Sequence, residues 1–407
     1  MERCILHCDM NNFYASVACV LDPTLAGRPL AVCGETEERH GIVLAKNYLA
    51  KDQGVRTGEA VWQAKQKCPG LVVVPPQYDQ YVRFSRAARE IYNDYTDMVE
   101  PFGMDECWLD VTGSQRCCGT GEEIAHRIRR RIKQELGVTV SVGVSFNKVF
   151  AKLGSDMKKP DAVTVITPSG FREQIWGLPA SAMLGVGSAT ARKLHGLGIH
   201  TIGDLAAYPC EYLRYKLGKC GEDIWRFANG LDISRVVTRD PDDLDKTAGH
   251  GITTVQDLVD ASEVWPVMLE LAQEVGHRLH LYEKKATGVA IDIRDNALCA
   301  RQWQCRLPYP TQSASRIASA CFALFRQSYD WARPIRSVTV RAIRLVADST
   351  PYQLDLFHDA AGIQKEEAID RVVEELRTRY GRGIIRQATV MYNPKMPRTN
   401  VLRRQIL

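Results

Sequence analysis

Short apolar runs alternate with helical periodicities through the first 170 residues. Cys4-Ile-Leu-His-Cys8 is mostly apolar and short, the pattern of a buried strand, and a helical segment follows from Phe13 and Tyr14 to near Leu21. Asp22-Pro23 breaks that helix, and Gly27-Arg-Pro29 makes a turn. Leu30-Ala-Val-Cys33, Ile42-Val-Leu-Ala45 and Leu71-Val-Val-Val-Pro75 read as strands, with helices over residues 47–53 and 61–67 between the last two. Residues 81–98 predict a long helix, because Phe84, Ala88, Ile91 and Tyr95 recur at helical spacing. A strand containing Met104, Cys107, Trp108 and Leu109 as buried positions comes next. It is followed by a basic amphipathic helix over 121–136, an alternating strand over 138–144, a helix over 150–157 and a strand over 162–166. This order predicts an α+β unit built on a mixed sheet.

The rest of the chain changes character twice. Residues 170–235 read as short helices joined by turns, and Leu184-Gly-Val-Gly187 before a helix over 191–197 has the shape of a helix-hairpin-helix. Glycines there let backbone N–H groups approach a phosphate. Residues 238–246 form a charged linker. Beyond it come a strand near 249–255, a helix over 262–283, strands over 286–293 and 301–307, a helix over 312–328 and a strand over 336–346, a second, βαββαβ unit. Arg301, Trp303 and Cys305 alternate with Gln302, Gln304 and Arg306 to give one polar face, and Arg336, Arg341 and Arg344 charge the last strand. Further on, Ile369, Val372, Val373, Leu376 and Tyr380 fall on one helical face, and Arg382, Arg386, Lys395, Arg398, Arg403 and Arg404 make the end basic. This tail could pack on the second unit, touch nucleic acid or bind another protein.

Composition narrows the class without naming a function. A chain of 407 residues is too long for one core, so two to four domains are expected. Apolar residues make up 45% and charged residues 25%, and no run of about 18 apolar residues could span a membrane. The chain begins in strand-like sequence with no signal-peptide pattern. Its 13 cysteines are scattered, and the Cys117-Cys118 pair has no partner pair at zinc spacing, so reduced thiols in a cytoplasm are expected. A net charge of +5 permits a nucleic-acid partner without requiring one. No repeat of 20–50 residues is present.

The candidate chemistry lies at Asp105-Glu106 and Asp9. Two adjacent acids with apolar neighbours are costly in a strand unless a cation neutralises them. The plainer reading is a turn, Phe102-Gly-Met-Asp-Glu106, with both acids in water. Asp9 ends the first apolar run, however, so an acid at one strand exit can meet the pair on another. Three carboxylates in one place could hold two metal ions about 3.5–4 Å apart, and magnesium prefers such oxygen ligands.

The Asp9 block, Asn47-Tyr48-Leu-Ala-Lys51 with Gly54-Val55, Asp105-Glu106, and Ser145-Phe-Asn-Lys-Val-Phe-Ala-Lys152 with Lys159-Pro160 occur in the order and spacing of the Y-family DNA polymerases. The chain resembles their bacterial DNA polymerase IV class over roughly residues 3–357. The resemblance implies a right-handed polymerase: palm and fingers over 1–169 with small fingers at about 20–75, a helix-hairpin-helix thumb over 170–237, a linker over 238–248 and a little finger over 249–347. Residues 348–407 would carry a clamp-binding motif and the helical, basic tail. Asp9, Asp105 and Glu106, joined by the Met10 carbonyl, would bind two Mg2+ ions. Tyr48, Lys51 and Lys159 would grip the triphosphate, and Tyr14 would be the steric gate under the sugar. Gly185, Gly187 and Lys193 in the thumb, with Arg301, Arg306, Arg336, Arg341 and Arg344 in the little finger, would touch DNA phosphates. Gln353, Leu354, Leu356 and Phe357 resemble the motif by which bacterial replication proteins bind the sliding clamp.

Some positions depart from the family pattern: Lys51 stands for the usual arginine, Gly103 for a frequent serine, Asn11 for a frequent acid and Ala18 for a common glutamate. The expected activity is template-directed DNA synthesis past damaged bases from deoxynucleoside triphosphates on primer–template DNA, by a monomer with no membrane contact. The alternative is a non-catalytic, clamp-tethered DNA-binding scaffold, which has no need of buried acids. A nucleotidyl cyclase would share the metal chemistry but leaves the hairpin and the clamp motif unexplained.

Overall fold

In the computed structural model of the chain, residues 2–34, 41–238, 246–351 and 360–381 are described, together with 384–385, 388–390 and 395–396. Two compact units divide it, one within residues 1–34 and 42–240 and the other within 241–405. The clamp-like residues Gln353, Leu354, Leu356 and Phe357, and Arg382, Arg386, Arg398, Arg403 and Arg404 of the tail, lie outside the described residues.

The first unit runs β1 (Ile5–Met10), α1 (Phe13–Leu21), β2 (Leu30–Cys33), β3 (Val43–Lys46), α2 (Tyr48–Asp52), α3 (Val61–Lys67), β4 (Val72–Val74) and α4 (Tyr78–Asn93). It continues with β5 (Val99–Pro101), β6 (Glu106–Asp110), α5 (Gln115–Cys118), α6 (Gly121–Leu136), β7 (Val140–Ser145), α7 (Lys148–Met157) and β8 (Val163–Ile166). Five short helices close it: α8 (Phe171–Ile175), α9 (Ser188–His195), α10 (Ile202–Ala207), α11 (Cys210–Leu217) and α12 (Lys219–Ala228).

The main sheet has the order β5-β6-β1-β7-β8 and is mixed, with β7 and β8 parallel and the other pairs antiparallel. Central β1 is buried along its whole length because helices cover both faces. Leu6, Cys8 and Met10 pack with Tyr81, Ile91, Ile124, Ile128 and Ile132 of α4 and α6, while Ile5 on the other face meets Ala151 of α7. A smaller sheet, β3-β2-β4, stands apart with its own core around Val43, Val61 and Ala64.

Helix α7 sits directly on the sheet at Gly143. A Cβ built there would lie 1.9 Å from the Ala151 carbonyl oxygen and 2.5 Å from the Ser155 nitrogen. The missing side chain therefore sets how closely α7 brings Lys148, Lys152 and Ser155 to β1. Gly143→Ala should destabilise the chain by about 1–3 kcal/mol through overpacking. Thermal unfolding checks this, and an unchanged midpoint would mean that α7 is not seated as described.

Two expectations need correction. Helix α4 covers 78–93 rather than 81–98. The Thr96 hydroxyl donates to the Asp110 carbonyl at 2.7 Å and accepts from the Met98 N–H at 3.1 Å, which turns the chain into β5 instead of continuing the helix. Met104 is a half-buried bend residue, not a strand position, because the strand begins at Glu106. Residues 102–105 form the turn of the plainer reading, with Phe102 N–H donating to Glu106 O at 2.8 Å and Gly103 at φ +89°.

Helices α8–α12 share one core, in which Phe171, Ile175, Leu194, Leu205, Leu213 and Ile224 pack with Phe150 and Leu153 of α7. After α12 the chain returns to the main sheet. Val236 is buried with Ile5, Trp108 and Ala151, and Val237 N–H donates to Glu100 at 2.8 Å.

The second unit is β9 (Thr247–Leu258), α13 (Ala261–Leu281), β10 (Lys284–Asp295), β11 (Ala300–Thr311), α14 (Ala314–Ser328), β12 (Ile335–Ala347) and α15 (Ala360–Tyr380). Its antiparallel sheet, β11-β10-β12-β9, packs Val289, Ile291, Ile293, Val338 and Val340 against α13 and α14. The opposite face carries Gln302, Gln304 and Arg306 paired to Asp292, Ala290 and Gly288, and Arg341, whose guanidinium bonds to Asp292. Arg301 lies on the other side of β11 by alternation and pairs with exposed Asp330 at 3.3 Å. Arg336 sits at a register break, and Arg344 is exposed with a left-handed backbone, φ +54°. The arginines therefore do not form one row.

Helix α15 docks through its polar side. Glu374 meets His277 Nδ1 at 2.6 Å and Arg377 donates to Gln273 at 2.5 Å, both on α13. Ile369, Val372 and Tyr380 are exposed, and Val373 and Leu376 are half-buried. Among the described residues no helix is long and apolar enough to cross a membrane.

Candidate active site

The antiparallel register of β1 and β6 pairs Asp9 with Glu106. Met10 N–H donates to Asp105 O at 3.0 Å, so all three acids stand at one end of the main sheet. Asp9 and Glu106 share a face with His7 and Trp108 by strand alternation. Asp105 lies just before the ladder, on the turn that Gly103 allows.

Each acid has a different electrostatic setting. Lys159 Nζ lies 2.7 Å from Asp9 Oδ2 and 2.9 Å from Asp156. Burial raises Asp9 above the usual carboxylate range, and Lys159 offsets only part of that. Burial would also raise Glu106, but the close approach of the His7 imidazole and the hydrogen bond and charge of Lys152 hold it down to about 2. Asp105 has no basic partner within salt-bridge distance among the described residues, and burial, Asp9 and Glu106 push it up to about 6.

Three carboxylates thus face two lysines, and the excess charge sits on Asp105. The donors are oxygens from carboxylates and the Met10 backbone, a set that suits magnesium or manganese rather than a soft metal. The residues fit a divalent cation in chemistry and charge. Among the described residues no three acidic, histidine or cysteine side chains are arranged to hold a metal ion, and Lys159 and Lys152 lie on two of the acids. A cation would have to displace those ammonium groups from the oxygens it takes.

Other predicted residues border this end of the sheet. The Asn47 side chain caps α2 by accepting from Ala50 N–H at 3.0 Å and ties it to β2 by accepting from Leu30 N–H at 3.0 Å. That anchor presents Tyr48 and Lys51, whose ammonium lies 5.6 Å from the Tyr48 ring centre. Burial raises the Tyr48 hydroxyl pKa, and Lys159 and Asp9 are near enough to act on it. Lys51 is exposed, so it offers a mobile point charge where arginine would offer a planar fork.

Tyr14 is half-buried, unlike its buried neighbour Phe13. Its ring stacks on Tyr81 at 4.1 Å and 8°, and its hydroxyl lies 3.7 Å from Met104 Sδ. Burial, then Tyr78, Asp105 and Tyr81, push that hydroxyl up to about 12.

The departures from the family pattern have local causes. Gly103 takes a positive φ that serine would adopt only with strain. Ala18 is buried beside Leu30 and Val32, where a glutamate would need a partner. Asn11 is buried and uses both ends of its amide: Nδ2 donates to Ser141 Oγ at 3.0 Å, and Oδ1 accepts from Asp161 N–H at 2.9 Å. Ionised carboxylate accepts only, so asparagine suits this bridge and steadies the turn that follows Lys159.

Three predicted residues lie elsewhere in the first unit. Gly185 has φ +87°, Gly187 precedes α9 with open space where a Cβ would be, and Lys193 is exposed on α9. Two residues at the acids were missed. The 145–152 motif contains Lys152 without marking a role for it, and the mostly apolar run over 4–8 absorbs His7. A histidine two positions before a metal-binding candidate, inside a strand too buried for a free imidazole, was the available signal.

Residues 8–156 match the impB/mucB/samB family, residues 245–356 its C-terminal domain, and residues 182–232 the DNA polymerase-iota thumb domain. The chain is 50% identical to a DNA polymerase IV of Acetivibrio thermocellus over 391 residues, 96% of this chain and 98% of the relative. It is 38% identical to DNA polymerase IV 1 of Bacillus subtilis over 399 residues, 96% of this chain and 94% of the relative. Among solved structures, a Y-family DNA polymerase chimera of Dbh and Dpo4 matches with TM-score 0.76 and 25% identity, covering 84% of this chain and 99% of the chimera. A Dbh ternary complex matches with TM-score 0.59, 25% identity and the same coverage.

Proposed function

This chain belongs to the impB/mucB/samB family and is a DNA-directed DNA polymerase of the bacterial DinB class of Y-family enzymes, and we propose that it extends primers past damaged template bases by phosphoryl transfer at Asp9, Asp105 and Glu106. The observation that carries the site is the pairing of Asp9 with Glu106 across β1 and β6, with uncompensated Asp105 beside them. We assign the main sheet to the palm, β2–β4 with α2 and α3 to the fingers, α8–α12 to the helix-hairpin-helix thumb and the second unit to the little finger.

Asp9, Asp105, Glu106 and the Met10 carbonyl would hold two Mg2+ ions. Such ions, when bound, lower the pKa of the primer 3′-hydroxyl and neutralise charge on the triphosphate. The chain's own groups do the positioning, which dominates catalysis of this kind of transfer. Lys159, turned from Asp9, reaches the phosphates with Tyr48 and Lys51. The Tyr14 ring, held by its stack on Tyr81, lies under the sugar and leaves no room for a 2′-hydroxyl. Gly185, Gly187 and Lys193 take duplex phosphates without reading sequence, as do Arg306 and Arg341 of the little-finger face. Arg301, Arg336 and Arg344 remain candidates for the same role from other positions. The enzyme acts as a monomer in the cytoplasm.

Extension of a labelled primer on undamaged and lesion-bearing templates tests this reading. Failure to extend on both, with magnesium and all four deoxynucleotides present, would overturn it.

Clamp tethering belongs to the same proposal. Small fingers grip DNA weakly, and a short flexible tether raises the local concentration to about the millimolar range. Replacing Leu356 and Phe357 with alanine should leave single-nucleotide insertion unchanged and remove the lengthening of products by loaded sliding clamp. Equal lengthening in the variant would show that these residues do not tether.

A further inference from the structure

His7 is 0% exposed and lies on the same face of β1 as Asp9. Its Nδ1 is 2.8 Å from Ser155 Oγ on α7, and its Nε2 is 3.1 Å from Glu106 Oε2. The second approach is close but off the hydrogen-bonding line, so Nε2 has no well-directed partner. Trp108 packs edge-on against the imidazole at 5.1 Å and limits its rotation. Lys152 donates to the same oxygen of Glu106.

Proton counting makes Ser155 the decisive neighbour. Its hydroxyl has one hydrogen, which points to the Lys152 carbonyl at 2.7 Å. In that rotamer a neutral His7 must donate from Nδ1 to Ser155 and turns a lone pair toward Glu106. If the hydroxyl rotates to donate to Nδ1 instead, the ring proton moves to Nε2 and can be given to Glu106. Lys152 and His7 therefore compete for one oxygen of Glu106, and the Ser155 rotamer sets which tautomer His7 presents.

We propose that His7, in the Nε2–H tautomer reached when Ser155 donates to Nδ1, is a positioning residue that takes hold of Glu106 Oε2 when Lys152 lets go, leaving Oε1 free for a divalent cation. The idea rests on Glu106 being a cation ligand, as in the reading above. The ammonium of Lys152 on Oε2 repels a cation arriving at Oε1 of the same carboxylate, and a carboxylate that Lys152 has released would be free to rotate without a second anchor. A buried imidazole is a rigid anchor with no net charge to compete with the cation.

The test is Mn2+ affinity, read by electron paramagnetic resonance on the full chain with primer–template and a non-extendable nucleotide. His7→Gln places an amide N–H near Nε2 and should bind within about threefold of the parent, whereas His7→Leu should lose about tenfold or more, as loss of a group that orients a ligand commonly does. Glu106→Gln tests the underlying reading separately: unchanged Mn2+ affinity there removes Glu106 as a ligand. If Glu106→Gln weakens binding and His7→Leu does not, the His7 proposal is wrong and the other reading stands. Should His7→Leu fold poorly, His7→Asn, whose amide reaches Ser155 but not Glu106, takes its place. It should show the same loss with an unfolding midpoint near that of His7→Gln. Equal affinities for the Asn and Gln variants would make His7 a packing residue.

Discussion

Asp105→Asn should lower primer extension by roughly 10²–10³-fold or more, the usual cost of losing one preorganised transition-state group, with DNA affinity nearly unchanged. Asparagine has almost the same shape, so packing at the turn survives while the charge is lost. The stability readout separates this from unfolding. Asp105 is raised to about 6, so the folded chain holds its proton more tightly than the unfolded chain does. Without a bound cation, stability then falls as pH rises from about 4 through about 6, because the unfolded carboxyl ionises first. Asp105→Asn removes that fall, so at pH 7 the cation-free variant should unfold at the same temperature as the parent or higher. A variant that melts no lower and yet does not extend places the defect in chemistry. Near-normal extension in magnesium would remove Asp105 from the site. Asp9→Asn should fail in extension as well, but it also takes from Lys159 one of its two carboxylate partners, so some loss of stability is expected there.

Tyr14→Ala should let ribonucleotides be incorporated, with discrimination falling by about 10²-fold or more, near 3 kcal/mol of differential binding. The ring is half-buried against Tyr81, Tyr78 and Phe13, and that cluster fixes its plane. In the proposed gate a ring held so firmly would not move aside for a 2′-hydroxyl, whereas an alanine would leave the space open. Tyr14→Phe keeps the ring and loses only the hydroxyl's contact with Met104, so it should discriminate like the parent. Single-nucleotide insertion kinetics with matched ribo- and deoxynucleotides measure both. If the alanine variant discriminates as the parent does, Tyr14 is a core residue and the gate lies elsewhere.

Most of the element order of both units was legible along the chain, though not the short β5 and α5, because helices and strands impose different periods on the apolar positions. The βαββαβ unit is the clearest case: each apolar stripe there is long, and its core is built from strands and helices that alternate in sequence. Ends were less legible where one side chain decides them, as when Thr96 reaches the Asp110 carbonyl from another strand. The acids were visible as types and positions, and their occurrence beside strand-like runs was enough to group them. Their partners were not visible. That Lys159 meets Asp9, that Lys152 and His7 meet Glu106, and that Asp105 is left uncompensated follow from β1–β6 register and from α7 lying on Gly143. Those contacts join residues up to 150 positions apart, and no local pattern encodes which face of a helix will reach which carboxylate. The same limit explains the arginines of the second unit. Their charges could be counted in the sequence, but the register break near Arg336, the left-handed backbone at Arg344 within β12 and the alternation at Arg301 keep them out of one row. Residue type and order determined the class of chemistry here. Which oxygen is held, by which proton, was decided only when distant strands came into register.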